Sequence, residues 1–564
     1  MLANPGPVGA GAGFEDDDGN LVDDAVPAAQ IDWNTFAPVS WQPSPSTTPT
    51  RQADKTSNGF LFKGIEDWQA TTADSGFAGG TKQDDICPTV ISAKAPNKDD
   101  LKRIYIASTV GSNGHTYLEL AWVRIPQNTT SPSAHVAFEF NKSKTLCGGS
   151  SDGLVSRVAG DMLIVYDFEG GSTDVPVITV RRWVTSGACE VGSSSPPCWG
   201  PATNLTAAGF AEAKVNTGGS VVDELAPPAL SSTTGTSVSQ TLGKSEFGEA
   251  GIDLTDANIF SAGTCESFGT VSAVSRTSGN SGTAQMKDLV GPGNFNLQNC
   301  GTVTIIKHTV PANLDQDFGF TSNLAGTCTA DASPASFTLN DSGTDTETCI
   351  DVPAGNYTVT EGADPANFTF TDLSCTASGT GTSATPTSGD ATKTASITIA
   401  GGGSVTCVYT NTQNLGAIKV TKTRKHAADG PGDHPHAGVS FTVNGVTMQT
   451  DANGVACFDG LAFGSYTVHE TVPAGYHVDA NDKSVTVDNS AKCSDATYVG
   501  ETVSFHNTPL TDITITVNSQ VDGGTASTID CDGVTGSTDA NGDGSVARTD
   551  LEPGTYTCTV VVDP

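Results

Sequence analysis

A lysine, a glutamate and an asparagine recur in one order along the C-terminal half of this 564-residue chain, each closing a short alternating run. The runs are Gly416-Ala-Ile-Lys-Val-Thr-Lys422, Tyr466-Thr-Val-His-Glu470 and Val503-Ser-Phe-His-Asn507. Successive side chains of a strand point to opposite faces. Ile418, Val420 and Lys422 therefore share a face, as do Tyr466, Val468 and Glu470, and Val503, Phe505 and Asn507. If those faces form a core, an amine, a carboxyl and a carboxamide end up inside it. A lone buried charge is costly, and burial lowers a lysine pKa while raising a glutamate pKa. A neutral amine beside a protonated acid can attack the carboxamide while the acid shuttles protons. Ammonia leaves, and an amide joins the first strand to the last. The plain alternative is three polar residues at the wet ends of strands.

The pattern occurs twice. Gly301-Thr-Val-Thr-Ile-Ile-Lys307 places Val303, Ile305 and Lys307 on one face. Asn356-Tyr-Thr-Val-Thr-Glu361 aligns Tyr357, Val359 and Glu361, and Val405-Thr-Cys-Val-Tyr-Thr-Asn411 aligns Val405, Cys407, Tyr409 and Asn411. The two lysines stand one domain length apart, which marks an internal repeat. The segments GAIKVTK, TDANGVACFDGLAFGSYTVHETVPAGY and VSFHN resemble the Cna-B/SpaA-type prealbumin-like domain of Gram-positive surface proteins. That resemblance implies an autocatalytic isopeptide bond, with these roles falling on Lys422, Glu470 and Asn507 and, through the repeat, on Lys307, Glu361 and Asn411.

A degraded third copy follows, since TDANGDGSVARTDLEPGTYTCTV matches TDANGVACFDGLAFGSYTVHE. Ser519 stands at the lysine position and Val560 at the glutamate position, so no isopeptide is expected there. Asp539, Asn541, Asp543 and Asp550 match an EF-hand loop in spacing. The same Thr-Asp-Ala-Asn-Gly string at 450–454 reads as a hairpin turn, and flanking helices are missing, so the expectation is a turn and no metal. Gly149-Ser-Ser151-Asp-Gly153 fits G-x-S-x-G without the strand and helix a nucleophile elbow needs. Gly279-Asn-Ser281-Gly resembles a protease string, but Thr283 follows it. His426, His434 and His436 crowd a Pro/Gly-rich loop that reads as solvated.

Length and composition frame these elements. The chain is too long for one core, and short β-branched runs separated by Gly, Asn, Asp and Pro read as all-β sandwiches. The expected order is a flexible lead-in over 1–55 anchored by Trp33 and Trp41, a jelly-roll or lectin-like β-sandwich over 56–300, and Ig-like prealbumin-type sandwiches over 301–413 and 414–510. A partial copy over 511–564 ends it. Within the large domain, Arg103–Ala107 and His115–Ile125 flank a Gly111-Ser-Asn-Gly hairpin turn. Residues 217–250 read as a loop or soft domain boundary, and Lys244 to Phe260 as including one short helix. The strings APNKDDLKRIYIAS, LAWVRIPQNTT, GDMLIVYDFEGG and SRTSGNSGTAQMKDLVGP look like the large N-terminal domain that precedes prealbumin-like domains in actinobacterial surface proteins. That resemblance implies architecture and location and no activity.

The formal charge of −35 argues against nucleic acid and anionic membranes as partners. The 14 cysteines divide as six, four, two and two among the expected domains, which suggests disulfides closed within domains in an oxidising compartment. Neighbour-to-neighbour pairing is the simplest scheme. No signal peptide is visible at the N-terminus, and no apolar run reaches membrane-spanning length. The expected protein is a secreted or cell-surface monomeric stalk with an unidentified surface ligand or glycan partner, no cofactor, and no enzymatic turnover beyond self-crosslinking. A pilin-like subunit and a carbohydrate-binding or carbohydrate-active head are the alternatives.

Overall fold

The computed structural model describes the chain apart from residues 1–6, 25–29, 45–50, 68–74, 127–132, 148–153, 171–174, 194, 230–231, 233, 262, 280, 282, 330–334, 388–392, 426–429, 519–526 and 563–564. Ser151, His426 and Ser519 lie outside the described residues. Contacts divide the chain into two compact units. The first is Met1–His308, Ala312–Ala363 and Thr371–Thr410, and the second is Thr309–Pro311, Asp364–Phe370 and Asn411–Pro564.

In the first unit, two antiparallel sheets face one another. One orders the strands Ala211–Val215, Phe247–Asp253, Thr116–Arg124, Leu101–Val110, Phe60–Glu66, Arg51–Ser57, Ser40–Pro43 and Gly235–Thr236. The other centres on Val177–Val184, Met162–Phe168, Ala134–Asn141, Ser267–Arg276 and Met286–Gln298. Ile104, Ile106, Leu118, Leu120 and Trp122 of the first sheet pack with Phe138, Phe140, Ile164 and Phe268 of the second. The Leu101–Val110 and Thr116–Arg124 hairpin is the one expected from Asn-Gly, with Gly114 at φ +82, where a side chain would be strained.

The other face of the eight-stranded sheet is covered too, and here the flexible lead-in expected over residues 1–55 is corrected. Phe14, Leu21, Trp33, Phe36 and Trp41 are fully buried against Phe60, Phe62, Tyr105 and Tyr117. Ser40–Pro43 and Arg51–Ser57 are strands of the sheet itself. The aromatic residues supply what the Pro- and Asp-rich surroundings lack, a large apolar area matched to one sheet face. Trp33 also donates from Nε1 to Glu249 Oε2 at 3.0 Å. Trp33→Ala should therefore cost the first unit about 3–5 kcal/mol, read as a lowered midpoint in chemical denaturation of the full chain.

Two further expectations are corrected. Residues 217–250 are not a loop: Val221–Ala226 pairs with Val238–Leu242, and both Leu225 and Leu242 join the buried aromatic cluster. Asp223 ties that ribbon down through Arg103, whose Nε donates to its carboxylate at 2.9 Å. The helix expected within 244–260 is instead the strand Phe247–Asp253 and a turn. Its residues are buried on both faces, Ala250 and Ile252 in the core between the sheets and Phe247 in the aromatic cluster on the other side, and pairing with a strand on each edge overrides its Glu/Ala content.

The remaining strands form the smaller sandwiches. Cys300–Val310 lies between Thr346–Pro353 and Ser404–Gln413, and a second sheet carries Phe318–Ser322, Gly355–Glu361 and Thr394–Ile399. In the second unit, Leu415–Lys425 pairs antiparallel with Val455–Ala462 and parallel with Glu501–Pro509. Ser440–Val443, Gly464–Thr471 and Asp482–Val487 build the facing sheet. Thr511–Asn518 pairs with Asp543–Leu551, repeating the pairing of Leu415–Lys425 with Val455–Ala462. All 14 cysteines pair consecutively along the chain, first with second, third with fourth and so on, in seven disulfides from Cys87–Cys147 to Cys531–Cys558.

Candidate crosslinking sites

Strand alternation delivers Lys422, Glu470 and Asn507 into one core. Ile418 and Val420 precede Lys422 on the buried face, Val468 precedes Glu470, and Phe505 precedes Asn507. Lys422 and Asn507 come from adjacent parallel strands, with Lys422 opposite Phe505 in register. Glu470 comes from the facing sheet, paired with Phe441. The three are 1 %, 1 % and 0 % exposed. The Lys422 ammonium lies 2.9 Å from each carboxylate oxygen of Glu470 and donates to Asn507 Oδ1. Asn507 Nδ2 donates to Glu470 Oε1 at 2.8 Å. The carboxylate thus touches both the nucleophile and the nitrogen that would leave.

Burial lowers the Lys422 pKa, against the pull of Glu470, and Lys483 lowers it further. His436, whose ring is tilted against that of Tyr476 with centroids 4.6 Å apart, is pushed down to about 4 by burial and by the charges of Arg424 and Lys422. It is a neutral wall residue at physiological pH. His434 Nε2 lies 3.2 Å from the Gly430 carbonyl.

The Thr-Asp-Ala-Asn-Gly string sets the backbone beside the lysine. Asp451 Oδ1 accepts from the amides of Asn453 and Val455, and Gly454 turns the chain at φ +72. Lys422 N–H donates to the Gly454 carbonyl at 2.7 Å, and a Cβ on Gly454 would sit 2.3 Å from the Lys422 carbonyl oxygen. The third copy repeats the turn, with Asp539 Oδ1 accepting from Asn541 and Asp543 amides and Gly542 at φ +85. Asp543 accepts from Asn518 Nδ2, and the Asp550 amide donates to Asp512. The EF-hand spacing of these four residues therefore coincides with a hairpin turn. Val560 lies half-exposed on Cys558–Val561.

In the preceding module Lys307, Glu361 and Asn411 are likewise buried. Lys307 Nζ is 3.5 Å from Glu361 Oε2 and donates to the carbonyls of His308 and Tyr409, two residues before Asn411. The Phe318 ring centroid lies 4.1 Å from the same Nζ. Asn411 Nδ2 donates to Asp364 Oδ1 at 3.0 Å. Sequence reasoning missed Phe318 and Asp364. The second carried a signal, an acid three residues after Glu361 that has no counterpart after Glu470.

Residues 303–413 match a family described as a prealbumin-like fold domain, and residues 416–502 match a second family of the same description. Residues 303–413 and 416–502 are thus SpaA-type prealbumin-like β-sandwich modules. No curated protein matches the chain. Among solved structures, the Bacillus anthracis TIE protein is similar at 13% identity and a TM-score of 0.28, over 90% of this chain and 70% of that one. The minor pilin GBS52 of Streptococcus agalactiae is similar at 15% identity and a TM-score of 0.17, over 38% of this chain and 98% of that one. A C-terminal fragment of the pilus adhesin SpaC from Lactobacillus rhamnosus GG is similar at 17% identity and a TM-score of 0.24, over 37% and 97%. Among the described residues no helix is long and apolar enough to cross a membrane.

Proposed function

We propose that the chain is an extracellular, adhesion-type surface protein whose N-terminal sandwich is carried on a stalk of self-crosslinked prealbumin-like modules. The observation that carries this reading is the Glu470 carboxylate, buried between the Lys422 amine and the Asn507 amide nitrogen. Passing one proton across the 2.9 Å contact turns the ion pair into a neutral amine and a neutral acid. Nζ then attacks Cγ of Asn507. The Nζ–Cγ bond forms, the Cγ–Nδ2 bond breaks, and Glu470 relays a proton from Nζ to the departing nitrogen. Lysine and asparagine become one secondary amide and one ammonia, with no oxidant or cofactor. Proximity supplies the driving advantage, since the reacting groups are held in contact in a water-excluded core.

The same reaction is assigned to Lys307, Glu361 and Asn411 from their equivalence in sequence and their burial. Disulfides within every module and the strongly acidic composition support the extracellular placement. The test is the intact mass of the reduced full chain. Two crosslinks make it lighter by two ammonia molecules, and Glu361→Gln and Glu470→Gln should each restore one. A full mass for the reduced wild-type protein removes the crosslinking mechanism.

A further inference from the structure

The residues Glu15-Asp16-Asp17-Asp18-Gly19-Asn20 cross the outer face of the eight-stranded sheet as part of the buried N-terminal segment. The strand below contributes Gly251, whose register neighbours on either side are Glu119 and Glu212. Asp16 occupies the space a side chain at Gly251 would fill: a Cβ there would sit 1.6 Å from Asp16 Oδ2 and 2.7 Å from Glu119 Oε2. Those two oxygens accordingly face each other at close range. Asp16 and Glu119 are 1 % and 0 % exposed, and none of their four carboxylate oxygens receives a hydrogen bond from another residue's N–H or O–H.

Beside this pair, Glu15, Asp18 and Asp24 bring one oxygen each to within 4.8 Å of one another. Asp32 is fully buried behind them with Oδ2 unpartnered, and the charges acting most strongly on it are Asp18 and then Glu15. Burial first, and then the charges of Glu212 and Asp17 on Asp16, of Asp18 on Asp32 and of Asp16 on Glu119, raise the pKa values of these three carboxyls well above the usual carboxylate range. Lys214 acts on Asp17 at the edge, but no lysine or arginine figures among the main influences on Asp16, Asp32 or Glu119. Buried carboxylates with neither donors nor cations are unstable as ions.

We propose that this layer binds divalent cations of the calcium class, held by Glu15, Asp18 and Asp24 with the buried Asp32 behind them, and by the buried pair Asp16 and Glu119 beside them. The donor set is all oxygen, which suits hard cations over zinc or copper. One wall is a rigid sheet and the other an irregular loop, which suits the variable six-to-eight-oxygen shell of calcium better than the strict octahedron of magnesium. The cation would supply the counter-charge that lets the N-terminal segment dock at neutral pH. Trp33 reports on it directly, because its indole N–H is bonded to Glu249, which neighbours Asp32 and Asp18.

The test uses the full chain freed of metal by chelator and titrated with calcium chloride at pH 7.5. Saturable calorimetric binding is expected, with a change in tryptophan fluorescence and a rise in Tm of about 5 °C at calcium well above Kd. Asp16→Asn with Glu119→Gln should weaken binding at least about tenfold while raising Tm in chelator, because less charge is then buried. Asp18→Asn with Asp24→Asn, at the mouth, should weaken binding comparably and provides the check if the buried pair misfolds. Absence of binding to the wild type overturns the proposal, as does binding that both double variants leave intact. A third contrary outcome is a Tm that falls with rising pH identically with and without calcium. The raised carboxylate pKa values would then reflect protons held in the layer, lost as pH climbs through them.

Discussion

Replacing Lys422 by alanine should return one ammonia to the intact mass and lower the stability of the second unit by about 4 kcal/mol. The crosslink would close a loop from Lys422 to Asn507, an 85-residue separation, within which Cys457–Cys493 already removes part of the chain's freedom. The entropy model for a covalent tie over the remaining span of roughly 50 residues gives that magnitude. Lysine removal also leaves Glu470 buried with Asn507 as its remaining partner in the trio, which adds to the loss. Calorimetry of the full chain should show the transition of this unit falling by about 20 °C, by the usual conversion for a module of this size. Glu470→Gln preserves volume and should also abolish the crosslink, but it leaves the Lys422 amine buried without its carboxylate, so a loss of stability is expected there too. A Lys422→Ala protein with unchanged mass relative to the crosslinked expectation, yet lowered Tm, would assign the effect to packing alone.

Asp223→Ala should destabilise the first unit by about 3–5 kcal/mol, as breaking a buried ion pair from one side does. The Asp223 carboxylate accepts from Arg103 Nε at 2.9 Å, from its Nη2, and from Tyr105 OH at 2.7 Å, and all three residues are sealed from solvent. Losing it strands a guanidinium in an aromatic layer and frees the Val221–Ala226 ribbon that covers Trp41. Asp223→Asn should cost less, because the amide oxygen still accepts one bond. The measurement is the denaturant midpoint of the first unit. Equal midpoints for wild type and Asp223→Ala would mean the pair contributes nothing net.

The strands that carry the trios were legible because two local signals coincide there. Alternation assigns a face, and two apolar residues before each polar one identify that face as buried, as at Ile418-x-Val420-x-Lys422. The recurrence of Lys, Glu and Asn then needed no tertiary knowledge. The first 55 residues were opaque for the opposite reason. Trp33 and Trp41 stood out, but Phe14 and Leu21 sit in a Gly- and Asp-rich context, and their partners Phe60, Tyr105 and Tyr117 belong to distant strands. Asp223 was equally hidden, since nothing local marks an aspartate between Val222 and Glu224 as the counter-ion of an arginine 120 residues earlier. Glu119 and Glu249 read as ordinary alternating strand residues, and only the strap laid over them turns that face inward.

The order of the seven disulfides bears on how such a chain is made. Each bridge joins a cysteine to the next one along, from Cys87–Cys147 through Cys265–Cys300 and Cys457–Cys493 to Cys531–Cys558, and no two loops overlap. A polypeptide emerging N-terminus first into an oxidising space can seal every ring before the following cysteine arrives. Under the extracellular placement proposed above, such vectorial closure would yield the native connectivity in chain order, with an oxidant and no step of isomerisation.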